Sequence, residues 1–389
     1  MSPAVWGLYV HIPYCARICP YCEFNVVVVQ RPPWAALAAA LVAELRAMRP
    51  LYAGAACSLY FGGGTPSLAP IEFITELIAA ARQLAALPAT AEITLEANPD
   101  GLSAAHLQAL RAAGVNRLSL GWQSTDDVQL KQLGRTHTSA AAAAAFAAAR
   151  EAGFDNLSLD LIFALPGQTL AQLQAEIEAV ERQAPEHVSL YALTYHPGTP
   201  LARQRARGRV TAASEDLEAE MMSAITARLQ VAGYEHYEVS NYARPGRRAT
   251  HNALYWDGTP TLGIGPGAVS FWRSDWQAGW RWCGVRRPSV YLDIWSGQQK
   301  GGLPAPEELR VAWVEALSAR QLYQERMMCG MRLAAGVDVS MAPCSAFLTE
   351  VEAGYRLSAA RGWTERRGNW LQPTPLGRMF ADPLAAMFF

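Results

Sequence analysis

Cys15-Ala-Arg-Ile-Cys19-Pro-Tyr-Cys22 places three thiols within eight residues, between Leu8-Tyr-Val-His-Ile-Pro13 and Glu23-Phe24-Asn25. Thiolates this close share a partner. A four-coordinate metal or a cubane iron-sulfur cluster held by only three protein ligands keeps one position open. That opening separates a reactive site from a structural one. Zinc would need a fourth ligand, for which His11 is the near candidate, with Pro13 in between. An iron-sulfur cluster ranks above it.

A cluster needs walls, and the chain supplies a rhythm from which to build them. Apolar runs near Leu8, Leu59, Ile93, Leu118, Leu157 and Val188 read as six strands. Helices are expected over Trp34–Met48, Pro70–Leu84, a Ser103-capped stretch to Ala113, Ser139–Ala152, Leu170–Arg182 and Ser214–Ala232. Gly114, Gly153 and Gly233 each close a helix just before the next apolar run, where a left-handed residue is needed. Alternation of this kind predicts successive βα units and a parallel sheet, in a doubly wound layer or a partial barrel. Both place the ligand site at the carboxyl ends of the strands. Gly62-Gly63-Gly64-Thr65 lies just past the second strand, Glu96 at the end of the third, and Gln123 past the fourth. Asp160 lies within or at the end of the fifth. All fall on the rim that carries the cysteine loop, where a buried charge requires a partner. Arg135 can supply positive charge to an anionic group.

The chain has 389 residues, 51% hydrophobic and 17% charged with a formal net charge of −1, which suits a large globular core and not nucleic-acid binding. Seven cysteines without a secretory signal pattern argue against a disulfide framework, and the cytoplasm is the expected compartment. No apolar run is long enough to span a membrane. Cys57, Cys283, Cys329 and Cys344 read as small buried hydrophobes. Past residue 240 the text changes: six of the twelve tryptophans fall between Trp256 and Trp295. Lys300-Gly-Gly-Leu-Pro304-Ala-Pro306 reads as a linker, Val311–Arg332 and Ser345–Ala360 as helices, and Trp363–Leu371 as a strand or wing. Three parts are therefore expected, over 1–240, 241–305 and 306–389.

Taken together, several motifs resemble the radical S-adenosylmethionine (SAM) superfamily. They are Cys15-x3-Cys19-x2-Cys22, Gly62-Gly-Gly-Thr-Pro66, Glu96-Ala-Asn-Pro99, Gln123-Ser124, Leu133-Gly-Arg135 and Asp160-Leu-Ile-Phe-Ala-Leu-Pro-Gly-Gln168. With Gly233–Pro245, His251-Asn-Ala-Leu-Tyr-Trp256 and Met327–Leu333, the resemblance narrows to the branch of oxygen-independent coproporphyrinogen III oxidase and spans nearly the whole chain. It implies an α/β fold, a partial (β/α)6 barrel with a small, mainly helical, winged-helix-like C-terminal domain. It also implies a [4Fe-4S] cluster on Cys15, Cys19 and Cys22, with SAM on the fourth iron. Tyr9 and Tyr21 would border both, Gly63, Gly64 and Thr65 would meet the methionine moiety, and Glu96, Gln123, Arg135 and Asp160 would complete the pocket. In such enzymes the reduced cluster cleaves SAM to a 5′-deoxyadenosyl radical.

Within this branch, the oxidase of porphyrin biosynthesis continues its cluster motif with a further cysteine and carries an amino-terminal extension. Here Phe24 stands in that place and eight residues precede Tyr9. Those features and His251-Asn-x-x-Tyr-Trp256 resemble the HemW-type haem chaperones. That implies haem as a ligand, His251 as a candidate axial ligand, and a haem-acceptor protein as partner. The acceptor could be membrane-associated although this chain shows no transmembrane segment. Coproporphyrinogen oxidase activity is the alternative. One departure stands out: Val269 follows Gly263-Ile-Gly-Pro-Gly-Ala where the resemblance leads one to expect histidine.

Overall fold

A computed structural model describes residues 5–296, 311–341 and 345–389. The linker expected at Lys300–Pro306 and the thiol of Cys344 lie outside the described residues.

The six anticipated strands form as β1 (Val5–Ile12), β2 (Ala55–Gly63), β3 (Glu92–Ala97), β4 (Arg117–Gln123), β5 (Leu157–Phe163) and β6 (His187–Ala192). Each pairs in parallel with the next in sequence order. An unbroken sequential order excludes the doubly wound alternative, whose strand order reverses at a switch point. The result is a partial barrel. Its helices are α1 (Trp34–Met48), α2 (Ile71–Leu84), α3 (Ala104–Ala113), α4 (Ser139–Glu151), α5 (Leu170–Gln183) and α6 (Glu215–Val231). Ser103 caps α3 as anticipated, its Oγ accepting from His106 N at 3.1 Å, and Gly114 ends that helix with φ +110°.

Strand alternation explains how one barrel serves two environments. Leu8, Val10, Leu59, Phe61, Ile93, Leu95, Leu118 and Leu120 are buried in the apolar core that includes α1, α2 and α3. The alternate positions are polar: Ser58, Tyr60, Thr94, Glu96, Arg117, Ser119, Ser158, Asp160, His187 and Ser189. Successive side chains of a strand point to opposite faces, so these residues line the lumen. The lumen is therefore polar, not filled by apolar layers.

Two expectations need correction. Gly233 does end a helical stretch, but the chain then forms only a two-residue strand, Glu235–His236, at the sheet edge. It pairs antiparallel with β7 (Asn241–Ala243), which is itself antiparallel to β6. The chain reverses here because His236 stacks on Tyr242 with ring centroids 4.2 Å apart. The second correction concerns Val311–Arg332, which is a strand followed by a helix. A reciprocal capping box at Ser318 and Gln321 delays the helix, leaving the β-prone Val311, Trp313 and Val314 in an extended run.

The region after residue 240 is built into the same sheet. α7 (Thr250–Asp257) leads to β8 (Thr261–Ile264), which pairs in parallel with β1. β9 (Val269–Arg273), β10 (Ala278–Gly284) and β11 (Val311–Ser318) continue antiparallel, with α8 (Pro288–Ser296) between the last two in sequence. The C-terminal part consists of α9 (Ala319–Gly330), α10 (Ser345–Ala360) and a three-stranded sheet of Val337–Asp338, Thr364–Arg367 and Trp370–Pro373. Its separate apolar core centres on Tyr323, Met327, Phe347, Val351, Leu371 and Phe388. Among the described residues, no helix is long and apolar enough to cross a membrane.

A buried carboxylate fastens α1 to the turn after β8. Glu44 Oε2 accepts from Gly265 N at 2.8 Å and from the Tyr291 hydroxyl at 2.6 Å. Burial pushes its pKa up from 4.5 to about 7 against those two hydrogen bonds. An acid whose folded pKa is raised stabilises the fold fully below its unfolded pKa and loses that contribution as pH rises through the folded value. Stability carried by Glu44 should thus fall between pH 4.5 and about 7. Glu44→Ala should lower unfolding stability by about 1–3 kcal/mol, since it strands two buried donors. Glu44→Gln should flatten the pH dependence in that window, as read from urea midpoints between pH 5 and 8.

Candidate functional site

A cavity of about 790 Å³ opens at the carboxyl ends of the strands. It brings together Cys15, Cys19, Cys22, Tyr21, Gly63, Gly64, Thr65, Glu96, Gln123, Arg135 and Asp160. They come from six separate segments between Cys15 and Asp160, and the strand ends are what unite them. The three thiols are half-buried and unbridged. Burial pushes the Cys15 and Cys22 thiols up, and the Arg135 guanidinium acts against that shift at both. The neighbouring charge thus favours the thiolate form that a metal requires.

The glycine turn has a packing reason. Gly64 N donates to Ile12 O at 2.7 Å, and Thr65 N donates to Tyr14 O at 2.9 Å. A Cβ on Gly64 would lie 2.6 Å from Tyr14 O, so only glycine lets this backbone pass beneath the cysteine loop. Gly63 adopts φ +109° and turns its N–H to Glu96 Oε2 at 3.2 Å. Gln123 also has a positive φ, +71°, at a bulge where β4 leaves its register with β5. Strain of this kind in a non-glycine residue is characteristic of functional sites.

Asn98 is the site residue that sequence reasoning did not single out, although it stands in the Glu96-Ala-Asn-Pro99 motif. Arg135 Nη1 donates to Asn98 Oδ1 at 2.8 Å, and Asn98 Nδ2 donates to Thr65 Oγ1 at 3.4 Å. Thr65 Oγ1 in turn reaches Cys15 Sγ at 3.6 Å. A chain of donors thus runs from the guanidinium to the first thiol. Arg135 makes no ion pair among the described residues, and its Nε is buried without a partner. That leaves a cation available to an anionic ligand.

Deeper in the lumen sit two carboxylates. Glu96 accepts from the Tyr60 hydroxyl at 2.8 Å, and burial pushes its pKa up to about 7. Asp160 accepts from Ser119 Oγ at 2.7 Å and Ser158 Oγ at 3.2 Å. Burial raises its pKa too, against those bonds and the nearby Arg117. Arg117 is almost wholly buried, lines the same cavity and carries an unpartnered Nε.

Two anticipated site residues stand apart. Tyr9 lines a second cavity of about 650 Å³, and its hydroxyl donates to His11 Nδ1 at 3.0 Å. His251 lines neither cavity. It is 1% exposed, with Nδ1 against Ser58 Oγ at 2.9 Å and Nε2 against the Tyr255 hydroxyl at 3.0 Å. Both ring nitrogens are therefore engaged, and burial pushes its pKa down to about 3. An iron ligand needs a free ring nitrogen facing open space, so this geometry does not suit His251 as an axial ligand. What faces the second cavity from this motif is Tyr255. Val269 lies on that wall as well, and it offers no donor.

The donor set distinguishes the two metal readings. Among the described residues, no three His, Cys, Asp or Glu side chains converge on a single ion. His11, the one candidate fourth ligand for zinc, uses Nε2 to donate to Asn25 O at 2.9 Å and Nδ1 to accept from Tyr9. A structural zinc needs four donors near one point. A [4Fe-4S] cluster asks each thiolate for a different iron, and thiols set around a cavity lip fit that demand.

Comparison with known proteins points the same way. A family model described as the radical SAM superfamily matches residues 9–180. The chain is 36% identical over 388 residues to heme chaperone HemW of Mycobacterium tuberculosis, covering 97% of this chain and 93% of that protein. It is 43% identical over 263 residues to bovine radical S-adenosyl methionine domain-containing protein 1, mitochondrial, a match that spans 67% of this chain but only 60% of that protein. Coproporphyrinogen III oxidase (HemN) from Escherichia coli, described as a radical SAM enzyme, shares the fold at TM-score 0.82 and 23% identity, over 100% of this chain and 90% of that one.

Anaerobic reconstitution with iron and sulfide should give a brown protein with equal iron and sulfide content. Cys22→Ala should lose both colour and sulfide. One equivalent of zinc bound in place of iron and sulfide would sink the cluster assignment.

Proposed function

Since the chain belongs to the radical SAM superfamily, in the branch of the HemW proteins, we propose that it is a haem chaperone. It binds haem and delivers it to an acceptor protein while carrying a three-cysteine [4Fe-4S] cluster and SAM. What supports the haem-carrying half is a named heme chaperone aligned with nearly the whole chain. The observation that carries the cluster and SAM half is the convergence of three thiols, a glycine turn, the Arg135 guanidinium and two carboxylates on one cavity. The reading includes a cytoplasmic location, where thiols stay reduced.

Cys15, Cys19 and Cys22 would hold the cluster, which would supply an iron able to bind SAM. The protein groups around it divide by charge. Arg135, fixed by Asn98, would meet the SAM carboxylate, because a planar guanidinium matches that group. The Gly63-Gly64-Thr65 backbone would border the methionine moiety. Glu96 and Asp160 would accept from ammonium and hydroxyl donors, with Tyr60 and the Gly63 amide aiming the first carboxylate and Ser119 and Ser158 the second. Tyr21, half-buried beside Cys19, would close the cluster side.

Phe24 is the feature that favours carriage over decarboxylation, since it puts an inert ring where the oxidase branch places a further thiol.

SAM affinity should fall roughly ten- to hundredfold in Asp160→Asn and Arg135→Gln, the loss expected for a hydrogen bond to a charged group. In wild type the affinity should rise as pH climbs through about 7, where Glu96 ionises. Isothermal titration of the reconstituted protein checks both. For the function itself, purified protein mixed with haem should show a shifted Soret band. A haem-free globin added afterwards should then take up the haem. Anaerobic incubation with coproporphyrinogen III, SAM and reductant should yield no protoporphyrinogen. Stoichiometric protoporphyrinogen would make the protein a decarboxylase, and an unshifted Soret band would end the chaperone reading.

A further inference from the structure

The second cavity lies across Glu23 and Phe24 from the thiols, and both residues, with Gly63 and Glu96, border both cavities. On the strength of the haem-chaperone reading, we propose that this second cavity holds the tetrapyrrole, with Cys329 as axial ligand and Arg286 and Arg326 as anchors for the propionates.

Haem is a flat, largely apolar disc with two carboxylates on one edge and an iron that seeks a donor perpendicular to the ring. A receptor therefore needs apolar or aromatic faces, cations along one edge and one soft or imidazole ligand. The cavity has a volume of about 650 Å³, within the roughly 300–1,000 Å³ typical of small-molecule sites. Phe24, Tyr255 and Phe271 supply faces. Trp276, on the same wall, packs against two guanidinia, with Arg273 at 3.8 Å and Arg326 at 4.8 Å from its centroid.

The two cavities differ in charge. Arg281 on this wall is neutralised by Glu315 and Glu325. Arg286 and Arg326 have no ion-pair partner among the described residues, which leaves two cations for two propionates. Glu23 and Glu96 border both cavities, whereas Asp160, a further carboxylate that repels propionates, lines the thiol cavity alone, beside Ser119, Asn98 and Gln123.

Helix geometry selects the ligand. α9 turns Leu322, Glu325, Arg326 and Cys329 toward the cavity, at spacings of three, four and seven residues, which share one helical face. Met328 lines the cavity too, but its side chain is exposed where the Cys329 thiol is half-buried. The two histidines nearby, His11 and His251, have both ring nitrogens committed. The half-buried Cys329 thiol carries no such commitment, being free of any disulfide and of any hydrogen bond through sulfur among the described residues. Ligation replaces its S–H by an S–Fe bond, and the proton passes to solvent.

The test uses the full-length, cluster-loaded protein titrated anaerobically with haemin and, separately, with metal-free protoporphyrin, which needs no axial ligand. Cys329→Ser should alter the haemin spectrum yet leave protoporphyrin affinity intact. The pair Arg286→Glu and Arg326→Glu should weaken both ligands at least about tenfold. Arg326→Gln alone gives the same direction if the double variant misfolds, as judged by iron content and circular dichroism. His251→Ala should keep the wild-type haemin spectrum. If wild type binds haemin but Cys329→Ser and the arginine variants match it, the site is elsewhere and the chaperone reading stands. A spectral change confined to His251→Ala likewise overturns the assignment. If wild type binds no haemin at all, the chaperone reading falls, and this proposal falls with it.

Discussion

The geometry of both cavities depends on Asn25. Its side-chain amide donates to Pro266 O at 2.7 Å and Arg286 O at 2.9 Å, and its own carbonyl accepts from His11 Nε2 at 2.9 Å. One residue thereby joins the end of β1, the loop that leaves the cysteines and the Gly263-Ile-Gly-Pro-Gly267 turn. The turn has been shaped for it: a Cβ on Gly267 would lie 2.6 Å from Asn25 Nδ2, and one on Gly265 would lie 2.5 Å from His11 O. These contacts also fix the His11 tautomer, since Nε2 must carry the proton and leave Nδ1 to accept from Tyr9. A loop carrying three thiols would otherwise be free to wander. Tied on both flanks, it keeps Glu23 and Phe24 at the partition between the two cavities.

A second constraint comes from the polar lumen. Buried charge is tolerable only where hydrogen bonds and opposite charges offset its desolvation. Asp160 meets that condition through the serines, Glu96 through Tyr60 and Gly63, and Arg117 through its proximity to both carboxylates. α7 meets it differently. Glu92 caps its first amides, from Thr250 N and His251 N, each at 3.0 Å. Gly7 lets the helix approach β1, for a Cβ there would meet Leu254 at 2.5 Å. His251 then sits neutral within a cage of Tyr60, Tyr9, Tyr255 and Ser58. Its Nε2 meets the hydroxyl of Tyr255, which lines the second cavity.

Much of this was legible in the sequence, for identifiable reasons. Strand ends could be located because apolar runs stop at glycine or at a charged residue, and the barrel rim follows once the strands are parallel. Gly63, Gly64, Glu96, Gln123 and Asp160 share a cavity for that reason. What the sequence concealed lay in side-chain direction. Asn98 beside Pro99 looks like punctuation, and nothing local reveals that its amide links Arg135 to Thr65. His251 beside Tyr255 and Trp256 looks like a ligand in an aromatic patch, yet four residues along a helix bring the Tyr255 hydroxyl onto its ring nitrogen. Cys329 looked like an isolated buried hydrophobe until α9 was set against β9 and β10, which gave it a cavity to face. Val311–Ser318 misled because its helix signal begins only at the Ser318 cap.

The shared wall has an energetic consequence that neither cavity shows alone. Phe24 is 65% exposed and borders both, so its side chain is held mainly by what fills the space on either side. Glu96 lies between them in a different sense. One oxygen is fixed by Tyr60, the other by Gly63 N, and Gly63 belongs to the turn beneath the cysteine loop. A ligand that shifts Phe24 or changes the charge on Glu96 from the thiol side alters the shape and potential of the second cavity. Linkage then requires the converse by the same factor, because a coupling free energy belongs to the pair of sites. A ligand among the thiols can thereby set how tightly the neighbouring cavity holds its own ligand. The partition at Glu23 and Phe24 is where that control would reside.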